Sequence, residues 1–331
     1  MAASPWALRS KFAGSLLGTA VGDSLGAGAW LRPPGRELAA HYTDDTHMTI
    51  SVAKSLLEKR GFDPKHLFLT FVQDWEAEPW RGYGPGPPAI FRAFRRGEDP
   101  RRVAVSLYPG GSFGNGAAMR VAPLACLYYD DLEELRRVVE EASSLTHTHP
   151  LGIEGALLQA HAIALAVGST GPLDALEFVE ELLGQAQADI YKRKLAAIRA
   201  FLSRGSRPSR KEVVRTLGNG VEAFNSVPTA IYAFLATRSF EEALRLAVSF
   251  GGDRDTIGAM TGAIAGAYHG RESIPSRWLE ELENREYIER LAAGLWELKM
   301  EIAGAMRGPS ATSSRQPLLG QDLLEQGPGD R

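Results

Sequence analysis

The sequence has little cysteine, no excess of basic charge and no long apolar run. Among 331 residues there is one cysteine, Cys126. No disulfide can form within the chain, which fits a reducing compartment. Cys126 lies in the apolar run 121–129, where a small core residue is a better reading than a nucleophile. Lysine and arginine number 37 against 40 aspartates and glutamates, a net charge of −3. That excludes the broad positive field on which non-specific nucleic-acid binding depends, so no direct nucleic-acid partner is expected. The lowest-polarity stretch, 256–268, is too short and too rich in glycine to cross a bilayer, so no membrane partner is expected. The opening Met-Ala-Ala-Ser-Pro-Trp lacks the charged-then-apolar layout of a signal peptide. The expected location is cytoplasmic.

Period-two alternation is scarce as well, which leaves little room for strands. Period-3.6 patterning is present instead, in about thirteen segments. These are 8–29, 45–59, 64–76, 115–129, 131–145, 150–167, 172–183, 186–202, 209–217, 228–237, 239–250, 255–269 and 284–306. The expectation is an all-α domain over 1–306. The tail 307–331 is rich in Gly, Pro, Ser and Gln and reads as disordered. Two stretches read as loops, Arg81 to Pro88 and Tyr108 to Asn115. The basic run from Tyr191 to Arg215 reads as a solvated helix face and loop.

Six glycines fall inside helical patterns: Gly14, Gly18, Gly22, Gly258, Gly262 and Gly266. Each costs about 1 kcal/mol against alanine in a helix. Close approach of neighbouring backbones is the compensating gain, so the two glycine-bearing helices are expected to form a tight inner layer.

Two acidic clusters open helices: Tyr42-Thr-Asp-Asp-Thr46 and Gly251-Gly-Asp-Arg-Asp-Thr256. Each alone is explained by capping, since Thr and Asp accept from free N–H groups and acids complement the helix dipole. Brought together they offer carboxylates and hydroxyls, the donors hard cations prefer. Crowded carboxylates repel, and a pair of Mg²⁺ ions would offset that repulsion. No Cys/His spacing points to zinc. The glycine-rich loop from Gly110 to Gly116 runs toward a helix and exposes N–H groups suited to phosphate. Phe113 and Tyr83 stand on glycine-flanked loops, where an aromatic ring can stack on a base.

Seven ordered elements carry a family resemblance. They are Gly14-Ser-Leu-Leu-Gly-Thr-Ala-Val-Gly-Asp23, Tyr42-Thr-Asp-Asp-Thr46, Arg81-Gly-Tyr-Gly84, Gly111-Ser-Phe-Gly-Asn-Gly-Ala-Ala-Met-Arg120, Leu145-Thr-His147, Ser226-Val-Pro-Thr-Ala-Ile-Tyr232 and Gly251-Gly-Asp-Arg-Asp-Thr256. From about Phe12 to Gly270 the chain resembles the ADP-ribosylglycohydrolases, which include the dinitrogenase reductase-activating glycohydrolase. It looks closest to the animal ADP-ribosylserine hydrolase branch. The resemblance implies an orthogonal helical bundle around a two-magnesium centre. It implies metal ligands at Thr43, Asp44, Asp45, Asp253, Asp255 and Thr256. It implies ADP-ribose binding at Gly111, Ser112, Phe113, Gly114 and Asn115, with His147 lining the groove. The implied reaction is Mg²⁺-dependent release of ADP-ribose from a protein side chain, serine favoured, or from a small molecule. It would pass through an oxocarbenium-like state, with Asp44 or Asp45 as general base.

Two departures bear on catalysis. The family's glutamate position holds Trp30, with Glu37 seven residues on. Loss of one acid–base group costs about 10²–10⁴-fold, so a catalytically impaired ADP-ribose binder is the alternative. Arg254, where the branch usually has a small residue, could point outward or pair with Asp44 or Asp45 and weaken a metal site. A helical scaffold using the basic run is a third reading, and it predicts no response to ADP-ribose.

Overall fold

The computed structural model describes residues 4–28 and 41–306. Sixteen α-helices cover most of them, and no strand is formed among the described residues. In chain order they are α1 (Pro5–Gly28), α2 (Asp44–Lys59), α3 (Pro64–Ala77), α4 (Gly86–Arg95), α5 (Pro100–Leu107), α6 (Ala122–Leu127), α7 (Leu132–Ser144) and α8 (Pro150–Gly168). Then follow α9 (Ala175–Gln185), α10 (Asp189–Leu202), α11 (Arg210–Leu217), α12 (Ala223–Leu235), α13 (Phe240–Val248), α14 (Arg254–His269), α15 (Ser276–Glu281) and α16 (Arg285–Met306). The all-α expectation holds. The tail read from 307 onward lies outside the described residues.

The axis of the fold is the antiparallel pair α1 and α14, joined through their glycines. A methyl group on Gly18 would stand 2.1 Å from the Gly262 carbonyl oxygen, and one on Gly22 would stand 2.0 Å from that of Gly258. Gly14 meets Gly266 in the same way. The backbones touch with no side chain between them, as the spacing predicted. This register has a second effect. It sets the last turns of α1 beside the first turn of α14, so Asp23 arrives next to Asp255.

α2 and α16 pack beside α1, while α8, α12 and α13 pack beside α14. α8 corrects the sequence reading of apolar runs: it, not 256–268, is long and apolar enough to cross a membrane. Two-thirds of its apolar window, 67%, is buried inside the protein. Its C-terminal carbonyls are capped by the buried Lys11, whose Nζ donates to Ala166 O at 2.8 Å and Val167 O at 3.1 Å.

Several helix boundaries differ from the sequence reading, mostly at prolines. The loop read as Arg81–Pro88 ends early, because Pro87 and Pro88 lie in the first turn of α4. A first-turn proline loses only an N–H that has no helical partner. The same tolerance hid α5, capped by Asp99 and opened by Pro100. The single helix expected over 115–129 is split into a 3₁₀ turn, Ala118–Arg120, and α6, whose first turn holds Pro123. α12 goes the other way: it starts at Ala223 and carries Pro228 in its interior.

Candidate active site

Three helices deliver carboxylates to one place. α1 supplies Asp23, the N-terminus of α2 supplies Asp44 and Asp45, and the start of α14 supplies Asp253 and Asp255. Asp23 is fully buried and the most tightly held. Thr43 N and Thr46 N donate to its Oδ2 at 3.0 and 3.1 Å. The Thr43 and Thr46 hydroxyls donate at 2.8 and 2.6 Å. Thr43 is also the N-cap of α2, accepting from Asp45 N. The capping reading of this cluster is therefore correct for Thr43. It does not account for Asp45 Oδ1, which is buried with no hydrogen-bond partner.

The electrostatics follow from that crowding. Burial, and then the Asp23 charge, push the Asp44 carboxyl up to about 7. Burial and the charges of Asp23, Asp44, Asp255 and Asp253 hold Asp45 well above the ordinary carboxyl range. Asp23 and Asp253 are each raised to about 6, chiefly by burial. Among the described residues no three His, Cys, Asp or Glu side chains form a ready coordination shell. The donor chemistry still suits a hard divalent cation: carboxylate and hydroxyl oxygens, one of them an unsatisfied buried Oδ1, at two helix N-termini.

The sign of the pH dependence follows. These carboxyl groups keep their protons in the fold to higher pH than in the unfolded chain. Their contribution is fully present below about pH 4 and is lost as pH rises through 6–7. His147 works oppositely, since burial and Arg120 lower it to about 3. Comparing wild type with Asp45→Asn cancels that second trend. In chelator, wild-type Tm should fall relative to the variant between pH 5 and 8; parallel Tm curves would contradict the crowding.

The loop from Gly111 to Asn115 is attached directly to this cluster. Asn115 Nδ2 donates to Asp253 Oδ2 at 2.6 Å and to Ser226 Oγ at 3.1 Å. Asn115 N donates to Val221 O, and Ala223 N donates to Phe113 O, both at 2.9 Å, which pins the loop to the entry of α12. Gly111 has φ +90°, and a Cβ there would meet Thr148 Oγ1 at 2.3 Å. Ser112 Oγ accepts from Gly114 N at 3.2 Å. Phe113 is 42% exposed, with its ring against Phe224 and edge-on to His149. His147 is buried beneath the loop, where its ring would meet a Cβ on Gly116 at 2.8 Å. Thr256 is buried in the first turn of α14.

Tyr83 is half-buried, and its hydroxyl is 2.8 Å from His47 Nδ1. The Arg81 guanidinium clasps Glu283 at 2.8 and 2.9 Å and lies 4.0 Å above the Tyr42 ring, fixing the strand of chain that leads into Thr43. Arg254 Nε donates to Gly26 O at 2.8 Å, at the C-terminal end of α1. Trp30 and Glu37 lie outside the described residues.

Sequence reasoning gave no role to Asp23, His47 or Arg120. Asp23 had a signal: it is the lone acid of α1, one residue past Gly22 on the glycine face. Arg120 is buried, donates to Ala142 O and Thr146 Oγ1, and lies 4.7 Å over Phe71. Burial pulls it to about 9, so it remains a cation at neutral pH behind Tyr83 and Asp44. His47 offered no comparable signal, because its partner is set by the fold.

Comparison with known proteins identifies the family. The ADP-ribosylglycohydrolase family profile matches residues 4–304. The ADP-ribosylhydrolase ARH3 of Homo sapiens is 36% identical, over 87% of this chain and 92% of that protein. The ARH3 of Xenopus tropicalis is 35% identical, over 87% and 95%. A solved structure titled ADP-ribosylglycohydrolase-related protein complex superposes with a TM-score of 0.70 at 29% identity, covering 88% of this chain and 99% of that one. A family profile that spans residues 4–304, with relatives 36% and 35% identical over most of both chains, shows that the chain belongs to the ADP-ribosylglycohydrolases, hydrolases that act on ADP-ribosyl bonds.

Proposed function

We propose that this chain is a Mg²⁺-dependent hydrolase that releases ADP-ribose from a modified protein side chain, serine favoured, or from an ADP-ribosyl small molecule. The observation that carries the reading is the hydrogen bond from Asn115 to Asp253, which joins the glycine loop to the carboxylate cluster. A ligand held by the loop has its scissile bond beside those acids. Two Mg²⁺ ions would be held by Thr43, Asp44, Asp45, Asp253, Asp255 and Thr256. When bound, they orient the ribose hydroxyls and polarise the anomeric bond. The exposed ring of Phe113, with Tyr83, offers an apolar face to the adenine. The loop Gly111–Asn115 would hold the phosphates; its Gly111 and Gly114 amides already donate to Tyr108 O and Ser112 Oγ, so the Ser112 amide carries that role. Neutral His147 supports the loop from below. Asp44 takes a proton from the attacking water as general base, with Asp45 beside it. A cytoplasmic setting belongs to the same proposal, resting on one buried cysteine.

The test is release of ADP-ribose from a serine-ADP-ribosylated peptide, with Mg²⁺ and with chelator. Turnover that chelator abolishes is expected. Turnover indifferent to chelator would overturn the metal assignment. The alternative, an impaired ADP-ribose binder, is motivated by Trp30 and would give no turnover but a Tm raised by ADP-ribose.

A further inference from the structure

Lys194 lies in α10, inside the basic run that the function leaves unused, yet its Nζ is not spread in solvent with that run. It donates to Leu217 O at 2.6 Å, to Phe224 O at 2.6 Å and to Asn225 Oδ1. Each acceptor has a reason to need a donor. Leu217 ends α11, where the last carbonyls have no helical partner. Phe224 stands four residues before Pro228, and a proline has no N–H to give to that carbonyl. Asn225 Nδ2 already donates to Glu222 Oε2 at 3.1 Å, which turns its Oδ1 the other way. One ammonium with three donors thus repairs the end of α11 and the interior of α12 together. Burial lowers Lys194 to about 8, which leaves it mostly charged at neutral pH.

The repaired segment is the one that grips the ligand loop. Ala223 donates to Phe113 O, Val221 accepts from Asn115 N, and the Phe224 ring packs on that of Phe113 at 5.7 Å. We propose that Lys194 is a positioning residue for the Gly111–Asn115 loop, acting by supplying the hydrogen bond that Pro228 withholds from Phe224. Its importance to ligand binding rests on the reading of that loop as the ADP-ribose site. A reagent or enzyme that acylated this amine would remove the charge and leave a single N–H for the three acceptors.

Two readouts on the full chain separate the inference from the reading beneath it. The first needs no ligand: amide hydrogen exchange at Asn115 and Ala223. Lys194→Met should speed exchange at both by about tenfold, the size of losing one charge-assisted hydrogen bond. Exchange at Val138 in the distant α7 should not change. Pro228→Ala returns an N–H to the Phe224 carbonyl, so the double variant should recover protection at both amides. General loss of stability would not be repaired at that one position. Lys194→Gln, which keeps one donor group, should fall between wild type and Lys194→Met, and serves if the methionine variant does not fold. The second readout is calorimetry with ADP-ribose. Wild type should bind, Lys194→Met about tenfold more weakly, with Pro228→Ala restoring part of the loss. If wild type gives no heat, the site reading fails while the exchange data still decide the role of Lys194. Unaltered exchange at Asn115 and Ala223 in Lys194→Met, or no recovery with Pro228→Ala, overturns the inference.

Discussion

Asp255→Asn should raise the stability of the metal-free protein and abolish its stabilisation by magnesium. The Asp255 charge acts on Asp23, Asp44, Asp45 and Asp253, raising all four. Removing it relieves a buried cluster of like charges. Wild type, by contrast, should gain about 2.7 kcal/mol at a Mg²⁺ concentration of 100 Kd. Turnover should fall on the order of 10³-fold, because a bound metal supplies several kcal/mol of charge stabilisation and each 1.36 kcal/mol is a factor of ten. Asp44→Asn should behave alike. The two readings that the acidic clusters allowed differ in sign here. A capping acid lost from a helix start lowers the apo Tm, by about 1 kcal/mol of stability. A metal-facing acid lost from this cluster raises it. Thermal melts of both variants, with and without Mg²⁺, decide the matter: a lower apo Tm with an intact magnesium shift would sink the metal assignment.

Gly262→Ala should be among the most damaging single methyl additions in the described residues. Its Cβ would fall 1.9 Å from the Gly18 carbonyl oxygen, and backbone on both sides gives no side chain that can swing away. Overpacking of this kind costs typically 1–3 kcal/mol and occasionally more. With rigid backbone opposite, about 3 kcal/mol or above is expected, on the order of 10 °C in Tm. Gly184→Ala is the control, since a Cβ there meets nothing within 4 Å. In α9 it should stabilise, by up to about 1 kcal/mol. The damage at Gly262 should extend to the site, because separation of α1 from α14 moves Asp23 away from Asp255. Equal and small effects at Gly262 and Gly184 would show that the helices are not in backbone contact.

The parts of the fold that were legible in the sequence are those with a local cause. Helices with an apolar stripe and a capping acid, such as α3 after Asp63 and α7 after Asp131, announce both their face and their start. The inner glycine layer was legible because a residue that weakens a helix recurs at helical spacing, which only close packing justifies. The family elements gave the site residues by resemblance. Where reading failed, proline was usually involved. A proline is harmless in a first turn and disruptive later, so its meaning depends on where the helix starts. Pro87, Pro88, Pro100 and Pro123 stand in first turns. Pro228 stands deep in α12, tolerated because Lys194 reaches the carbonyl it leaves unmatched.

By itself the sequence determined that the chain is helical, that two of its helices carry glycine at helical spacing and that acids open α2 and α14, since each of these is written within a few turns of chain. Only the tertiary structure decided that α1 meets α14 in the register that sets Asp23 against Asp255. It alone turned Tyr83 to His47, set Arg120 behind Asp44 and brought Lys194 to Pro228. The physical reason is range. Helix propensity and capping act over three or four residues, whereas a carboxyl group's pKa and a carbonyl's missing donor are settled by whatever the packed core brings alongside.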